Sequence, residues 1–230
     1  MKTLPFAIAL LLSAFALPGF AQDQSGSKPV EKPAEKKNER PAEPPRKPEP
    51  WDDADVKTMA AQCVTFETEK GNIRFELFPE SAPETVRNFL NLVSTGALDT
   101  TTFSRVVPGF VIQGGNLYTS EKLTNDLKWR SVRKIPDEPN LIKHERGILS
   151  MARPDEPNSA TTDFFILLRE ANTLDGKFAA FGRVIFGFDV VLDINGMAVE
   201  GETPKEPVRI TKANAAPCET ASPAEPSVNR

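Results

Sequence analysis

The chain predicts a mainly β fold: a closed antiparallel barrel capped by two helices, in one domain of about 150 residues. Short apolar or alternating runs recur from Val64 to Thr211, bounded by Gly, Pro, Asn and Asp. Only two stretches repeat at helical spacing, near Val86 and near Val190. The 230 residues are 39% hydrophobic and 26% charged, which suits a soluble globular domain with non-globular sequence attached. A domain of this size buries about 70% of its unfolded surface, enough to fold alone.

The ends of the chain are read apart from that domain. Residues 1–21 form a signal peptide. Lys2 supplies the positive end, Leu4 to Leu17 is apolar and short for a bilayer span, and Gly19 and Ala21 are small residues where a signal peptidase reads. Cleavage after Ala21 is expected; the alternative is an uncleaved anchor. No cysteine lies near this site, which argues against lipid attachment. Residues 22–62 are a linker rich in Pro and charge. Gln22 to Pro50 carries seven prolines and one large apolar residue, Val30, too little surface to offset the entropy of ordering. It acts as a spacer near a membrane or wall, or as a passive tail. Trp51 to Gln62 either starts a short helix or docks on the domain. Residues 214–230 are a polar, disordered tail.

Within residues 63–213, Val64–Thr68 and Ile73–Leu77 form an antiparallel hairpin. Alternation turns Ile73, Phe75 and Leu77 inward and Arg74 and Glu76 outward. A helix follows. Ser81 and Glu84 have the spacing of a capping box. Val86, Phe89, Leu90 and Val93 make one apolar stripe, and Gly96 suits the left-handed position after the last turn. Leu117 to Asn140 is a polar, irregular surface excursion. Ile148–Ala152, Phe164–Leu168, Phe178–Phe186 and Val208–Thr211 are strands, Arg153–Thr162 is a loop, and Asp189 is placed to cap a short helix through Val190, Val191 and Ile194.

Composition narrows the chemistry. The net charge is −4, with no basic excess for nucleic acid. One histidine and two cysteines nearly exclude a Cys/His zinc site and limit any Ser-His-Asp arrangement to His144. No Ser or Cys motif pairs with His144, so its expected role is structural. The informative stretch is Phe103 to Asn116, an apolar run that turns at Pro108-Gly109 and is interrupted by two polar groups, Arg105 and Gln113. An arginine in such a setting needs a reason. One is an ion pair with a distant carboxylate; the other is chemistry.

This stretch resembles the cyclophilin signature, Phe-x-Arg-Val-x-Pro-x-Phe-x-x-Gln-Gly-Gly. Phe103, Arg105, Val106, Pro108, Phe110, Gln113, Gly114 and Gly115 all fit it. Gly147 to Ala152, Asp163 to Ile166, Leu174 to Lys177 and Phe181-Gly182 are similar to the remaining family blocks, in the same order. The resemblance implies an eight-stranded barrel with a helix at each end and peptidyl-prolyl cis/trans isomerase activity without cofactor or metal. It implies Arg105, Phe110 and Gln113 as catalytic residues, and a substrate groove from Val111, Ala152, Arg153, Asp163, Phe165, Leu174 and Phe178. In cyclophilins the first and last strands are neighbours, so Cys63 and Cys218 are candidates for a disulfide in an oxidising compartment; free thiols are the alternative.

The chain departs from the pattern at five positions. Ser104 and Phe178 stand where histidine is common, and Val111 replaces a common methionine. Asp163 replaces a usual glutamine and brings a negative charge toward Arg105. Thr173 stands where cyclosporin-sensitive members carry tryptophan. The expected protein is an exported monomer, periplasmic or extracellular, acting on proline-containing polypeptides. The alternatives are a proline-binding or chaperone module with little turnover, and a scaffold barrel in a larger assembly.

Overall fold

A computed structural model describes residues 47–218. The signal-peptide expectation, most of the linker and residues 219–230 of the tail fall outside them; residues 214–217, expected in a disordered tail, are instead strand, paired with residues 62–65.

The chain enters by docking. Trp51 N donates to Asn91 Oδ1 (2.8 Å) and its indole to Ser94 Oγ (2.7 Å). Glu49 receives Arg130 Nε at 2.9 Å and also pairs with Arg133. Residues 47–62 are therefore not linker throughout. Helix α1 (Val56–Ala60) starts at Asp55, whose carboxylate accepts from Thr58 N.

Strands β1 (Gln62–Thr68) and β2 (Gly71–Leu77) form the expected hairpin, with Ile73, Phe75 and Leu77 buried. Helix α2 (Pro83–Ser94) buries Val86, Phe89, Leu90 and Val93 as one stripe. Its N-terminus corrects the capping-box expectation. Ala82 holds the cap position and makes no side-chain bond. The carboxylate of Glu138 instead accepts from Glu84 N (2.9 Å) and Thr85 N (2.7 Å). A distant anion satisfies two orphan donors and meets the positive end of the helix dipole. Gly96 follows the helix at φ +71°, as expected.

The remaining strands are β3 (Arg105–Val107), β4 (Val111–Gly114), β5 (Ile148–Met151), β6 (Phe164–Leu167), β7 (Ala180–Phe186), the short pair β8 (Val199–Glu200) and β9 (Thr203–Pro204), and β10 (Ile210–Pro217). Two further helices are α3 (Asn125–Ser131) and α4 (Phe188–Asn195). The described residues thus hold four α-helices, not two. α3 lies in the stretch expected to be irregular; Thr124 caps it through Leu127 N. Asp189 lies inside the first turn of α4, and Gly187, at φ +79°, takes the cap position. A Cβ there would lie 2.0 Å from Asn72 O, so only glycine fits.

Eight strands form one antiparallel sheet in the order β10-β1-β2-β7-β5-β6-β4-β3. The sheet is open, which corrects the closed-barrel expectation. Between its edges, β3 and β10, lies an isolated bridge, Thr102 to Arg209, flanked by bonds such as Phe103 N to Val208 O (2.9 Å). β3 cannot extend that seam because Val106 N donates to Glu202 O (2.8 Å) on the β8–β9 turn. Within the sheet's curl, Phe66, Phe75, Phe89, Phe164 and Phe181 pack edge-on or tilted, with centroids from 5.0 Å apart.

β10 continues beyond Ala213, pairing Cys63 of β1 with Ala216. Cys218 N donates to Ala61 O (2.8 Å), so Cys218 is anchored to the residue that precedes β1. The two sulfurs are bonded, with Cα atoms 4.9 Å apart and 155 residues of separation. Closing so long a loop restricts the unfolded chain. Reduction, or the double change Cys63→Ser and Cys218→Ser, should lower unfolding free energy by about 2–5 kcal/mol, read as a lower urea midpoint. An unchanged midpoint would show that the bond carries no stability.

Candidate active site

Register builds the site. In the β3–β4 hairpin Arg105 is opposite Gln113; across the next ladders Gln113 is opposite Phe165 and Phe165 is opposite Ser150. Directly opposed residues share a face. Arg105, Gln113, Phe165 and Ser150 therefore form one row across four strands. Val107, Val111 and Leu167 form the next row. The alternate residues, among them Val106, Ile112, Phe164 and Ile166, enter the main core. The same strands thus serve two apolar clusters, one on each face.

The second cluster gathers the expected groove. Val111 and Phe165 are buried in it, and Phe110, Ala152, Leu174 and Phe178 pack against it half-exposed. Phe165 and Phe178 meet edge to face at 6.1 Å. The result is an apolar seat with a dry floor and an open rim. Its turn is held from behind by Asn195 at the end of α4. Asn195 Oδ1 accepts from Gly109 N (2.7 Å), while Nδ2 donates to Val107 O (2.9 Å) and Val111 O (3.1 Å). Gly109 takes φ +70°, so the chain reverses and Phe110 projects from the hairpin end.

Polar groups flank the seat. Arg105 is 43% exposed at its side chain. Its Nη1 donates to Gln113 Oε1 (3.2 Å) and its Nε to Glu202 Oε2 (2.6 Å). The distant carboxylate expected as one reason for a lone arginine is therefore present, alongside the glutamine of the motif. The Arg105 contact holds the Glu202 carboxyl below its ordinary range. Burial pushes the Asp163 carboxyl up, against a hydrogen bond from Gln113 that opposes the rise. Gln113 thus stands between Arg105 and Asp163. Arg153 pairs with Asp137 (3.3 Å) and lies over the Phe178 ring (5.1 Å). Arg169 lies over the Phe110 ring at 4.7 Å. Motif matching did not single out Glu202, Asn195 or Arg169, because their contacts arise only when separate loops meet. An unmatched Arg105 was the one signal that a carboxylate was needed.

His144 is fully buried. Nδ1 faces Asp175 Oδ1 (3.2 Å) and Nε2 faces Ser150 Oγ (3.1 Å), so a serine does pair with it, contrary to expectation. Ser150 Oγ also donates to Ala179 O (3.0 Å). Burial lowers the imidazole pKa against the pull of Asp175. Asp175 is lowered to about 2, first by the His144 backbone N–H and then by Lys143. Serine, imidazole and carboxylate lie in line, yet the serine is buried inside the sheet. The line pins the Ala171–Ala179 loop, which carries Leu174 and Phe178, to β5.

Comparison with known proteins places this geometry. The family model described as cyclophilin type peptidyl-prolyl cis-trans isomerase/CLD matches residues 63–215. A peptidyl-prolyl cis-trans isomerase of Acinetobacter baylyi is 36% identical over 163 residues, covering 66% of this chain and 84% of that protein. Peptidyl-prolyl cis-trans isomerase B of Escherichia coli is 36% identical over 166 residues, covering 64% and 95%. The crystal structure of a cyclophilin type isomerase from Cryptosporidium parvum superposes with a TM-score of 0.61 at 30% identity, covering 67% and 97%.

A buried carboxylate whose pKa rises on folding favours the folded state below its unfolded pKa, and that contribution is lost as pH rises through the folded value. Asp163→Asn removes the titration and keeps an acceptor for Gln113. It should melt above the wild type at pH 7, with the gap closing as pH falls from the raised folded value to the ordinary Asp value. A lower melting temperature for the variant at pH 7 would show that the charge is stabilising.

Proposed function

The chain belongs to the cyclophilin-type peptidyl-prolyl cis-trans isomerase family, and from that premise we propose that it accelerates X-Pro rotation in exported polypeptides as they fold, with Arg105 stabilising the twisted amide. The observation that carries this reading is Arg105, tied to Gln113, beside the half-open apolar seat of Phe110, Val111, Phe165, Leu174 and Phe178.

Rotation about an X-Pro bond breaks amide resonance, with a barrier of about 18–20 kcal/mol. No bond to the enzyme is needed; the twisted state has only to be favoured over both planar ones. When the amide twists, the prolyl nitrogen becomes pyramidal and regains a lone pair. The proline ring sits on the apolar seat, Gln113, Ala152 and Arg153 hold the flanking backbone, and Arg105 donates to the nitrogen or to the adjacent carbonyl. Such a donor acts more strongly beside a dry surface than in water. Among the described residues Asp163 makes no ion pair with Arg105, whose carboxylate partner is Glu202; this leaves the outer guanidinium nitrogen available and favours turnover over a binding module that merely holds proline. A related Cryptosporidium parvum isomerase was crystallised in the presence of the dipeptide Ala-Pro, which is consistent with a proline seat of this kind.

We place the protein outside the cytoplasm, in a periplasm or beyond, acting as a monomer near a membrane or wall. The apolar N-terminal stretch and the Cys63–Cys218 bond support this, since such bonds persist in oxidising compartments.

The test is cis-to-trans isomerisation of short X-Pro peptides by the purified protein and by Arg105→Ala. Acceleration that falls at least tenfold in the variant is expected, a loss of about 1.4 kcal/mol or more in the twisted state. No acceleration by folded wild type, across several residues before proline, would overturn the reading. Thr173, exposed beside Leu174, offers no indole, so cyclosporin should bind weakly. Submicromolar affinity in a titration would contradict that.

A further inference from the structure

The shortest polar contact of Arg105 is made by a residue outside the motif. Glu202 lies on the turn between β8 and β9, where Gly201 takes the left-handed φ of +62°. Its carbonyl accepts from Val106 N at 2.8 Å. The main chain therefore ties this turn to the strand that carries Arg105. From that origin the Glu202 side chain reaches Arg105 Nε at 2.6 Å.

A guanidinium is a planar fork of five donors. One hydrogen bond fixes a point and leaves the plane free to swing. Two bonds to different nitrogens fix the plane. Glu202 takes Nε and Gln113 takes Nη1, while Nη2 has no protein acceptor among the described residues. We propose that Glu202 is a positioning residue for isomerisation, setting the guanidinium plane so that Nη2 faces the bound X-Pro amide. This rests on the role of Arg105 argued above. Glu202 acts only through Arg105 and does not touch substrate. It competes little for the donors that substrate needs, because it occupies the nitrogen nearest the side-chain stem.

The pair is about half-exposed, with side-chain exposures of 43% and 54%, so the effect belongs to the scale of a screened ion pair. The experiment measures kcat and KM for an X-Pro peptide with wild type, Glu202→Ala and Glu202→Gln, and repeats Glu202→Ala in the Arg105→Ala background. Neither change removes the main-chain bond to Val106. Glu202→Ala should lower kcat about two- to fivefold with KM unchanged. Glu202→Gln, which keeps an acceptor without charge, should fall between. With Arg105 absent, Glu202→Ala should have no effect on the residual rate. An unchanged kcat, a change confined to KM, or an equal fall without Arg105 would overturn the proposal. If Arg105→Ala abolishes acceleration and Glu202→Ala leaves it intact, this inference fails alone. If wild type accelerates nothing, the isomerase reading fails and this inference with it.

Discussion

The structure depends on a sheet that is covered on both faces along four neighbouring strands. Along β3, β4, β6 and β5, period-two alternation sends one set of side chains into the main core and the other into the seat. A one-residue slip would exchange the two sets, placing Arg105 and Gln113 among the core phenylalanines. The core therefore enforces the register of the site. Phe164 packs against Phe66, Phe89 and Phe103; while it stays there, its neighbour Phe165 must face the groove.

An apolar seat open to water cannot hold its own shape, so polar contacts behind it supply the rigidity. Asn195 ties three main-chain groups of the β3–β4 turn to α4. His144 and Asp175 tie the loop carrying Leu174 and Phe178 to Ser150. Each tie is satisfied by main chain or by a buried partner, where a hydrogen bond is least exposed to competition from water. The serine-histidine-carboxylate line has the residue types of a nucleophilic site but no access to solvent. Residue identity suggests a reaction, and burial decides against it.

What was legible in the sequence follows the range of each interaction. The β1–β2 hairpin, the stripe on α2 and the strands that begin at Ile148 and Phe164 rest on local alternation and spacing, and all are present. The motif residues also meet, because hairpin register is local. Contacts between distant segments were legible only where the family resemblance supplied them, as for Cys63 with Cys218 and the groove residues. Glu138 caps α2 from more than fifty residues away, where Ser81 offered a local solution with correct spacing. Helix α3 carries little apolar periodicity; Arg130, which it buries, is instead held by Glu49 and Asn88. The open seam between β3 and β10 follows from Glu202 O occupying Val106 N. No periodicity encodes that encounter.

The charges at the site are ordered by a neutral group. Glu202 and Gln113 both accept from Arg105, and the Gln113 side chain also opposes the rise of the Asp163 carboxyl, so the amide stands between the guanidinium and the second carboxylate. Had Asp163 reached Arg105 directly, a bidentate pair would have taken the outer donors of the guanidinium. The amide turns its oxygen to Arg105, at 3.2 Å, which leaves its nitrogen as the donor for an acidic neighbour. Its own polarity then suits both neighbours, and exchanging its ends would set like partial charges against each. With an acidic residue at position 163, Arg105 still spends its bonds on Glu202 and Gln113, and its outer nitrogen stays unengaged among the described residues.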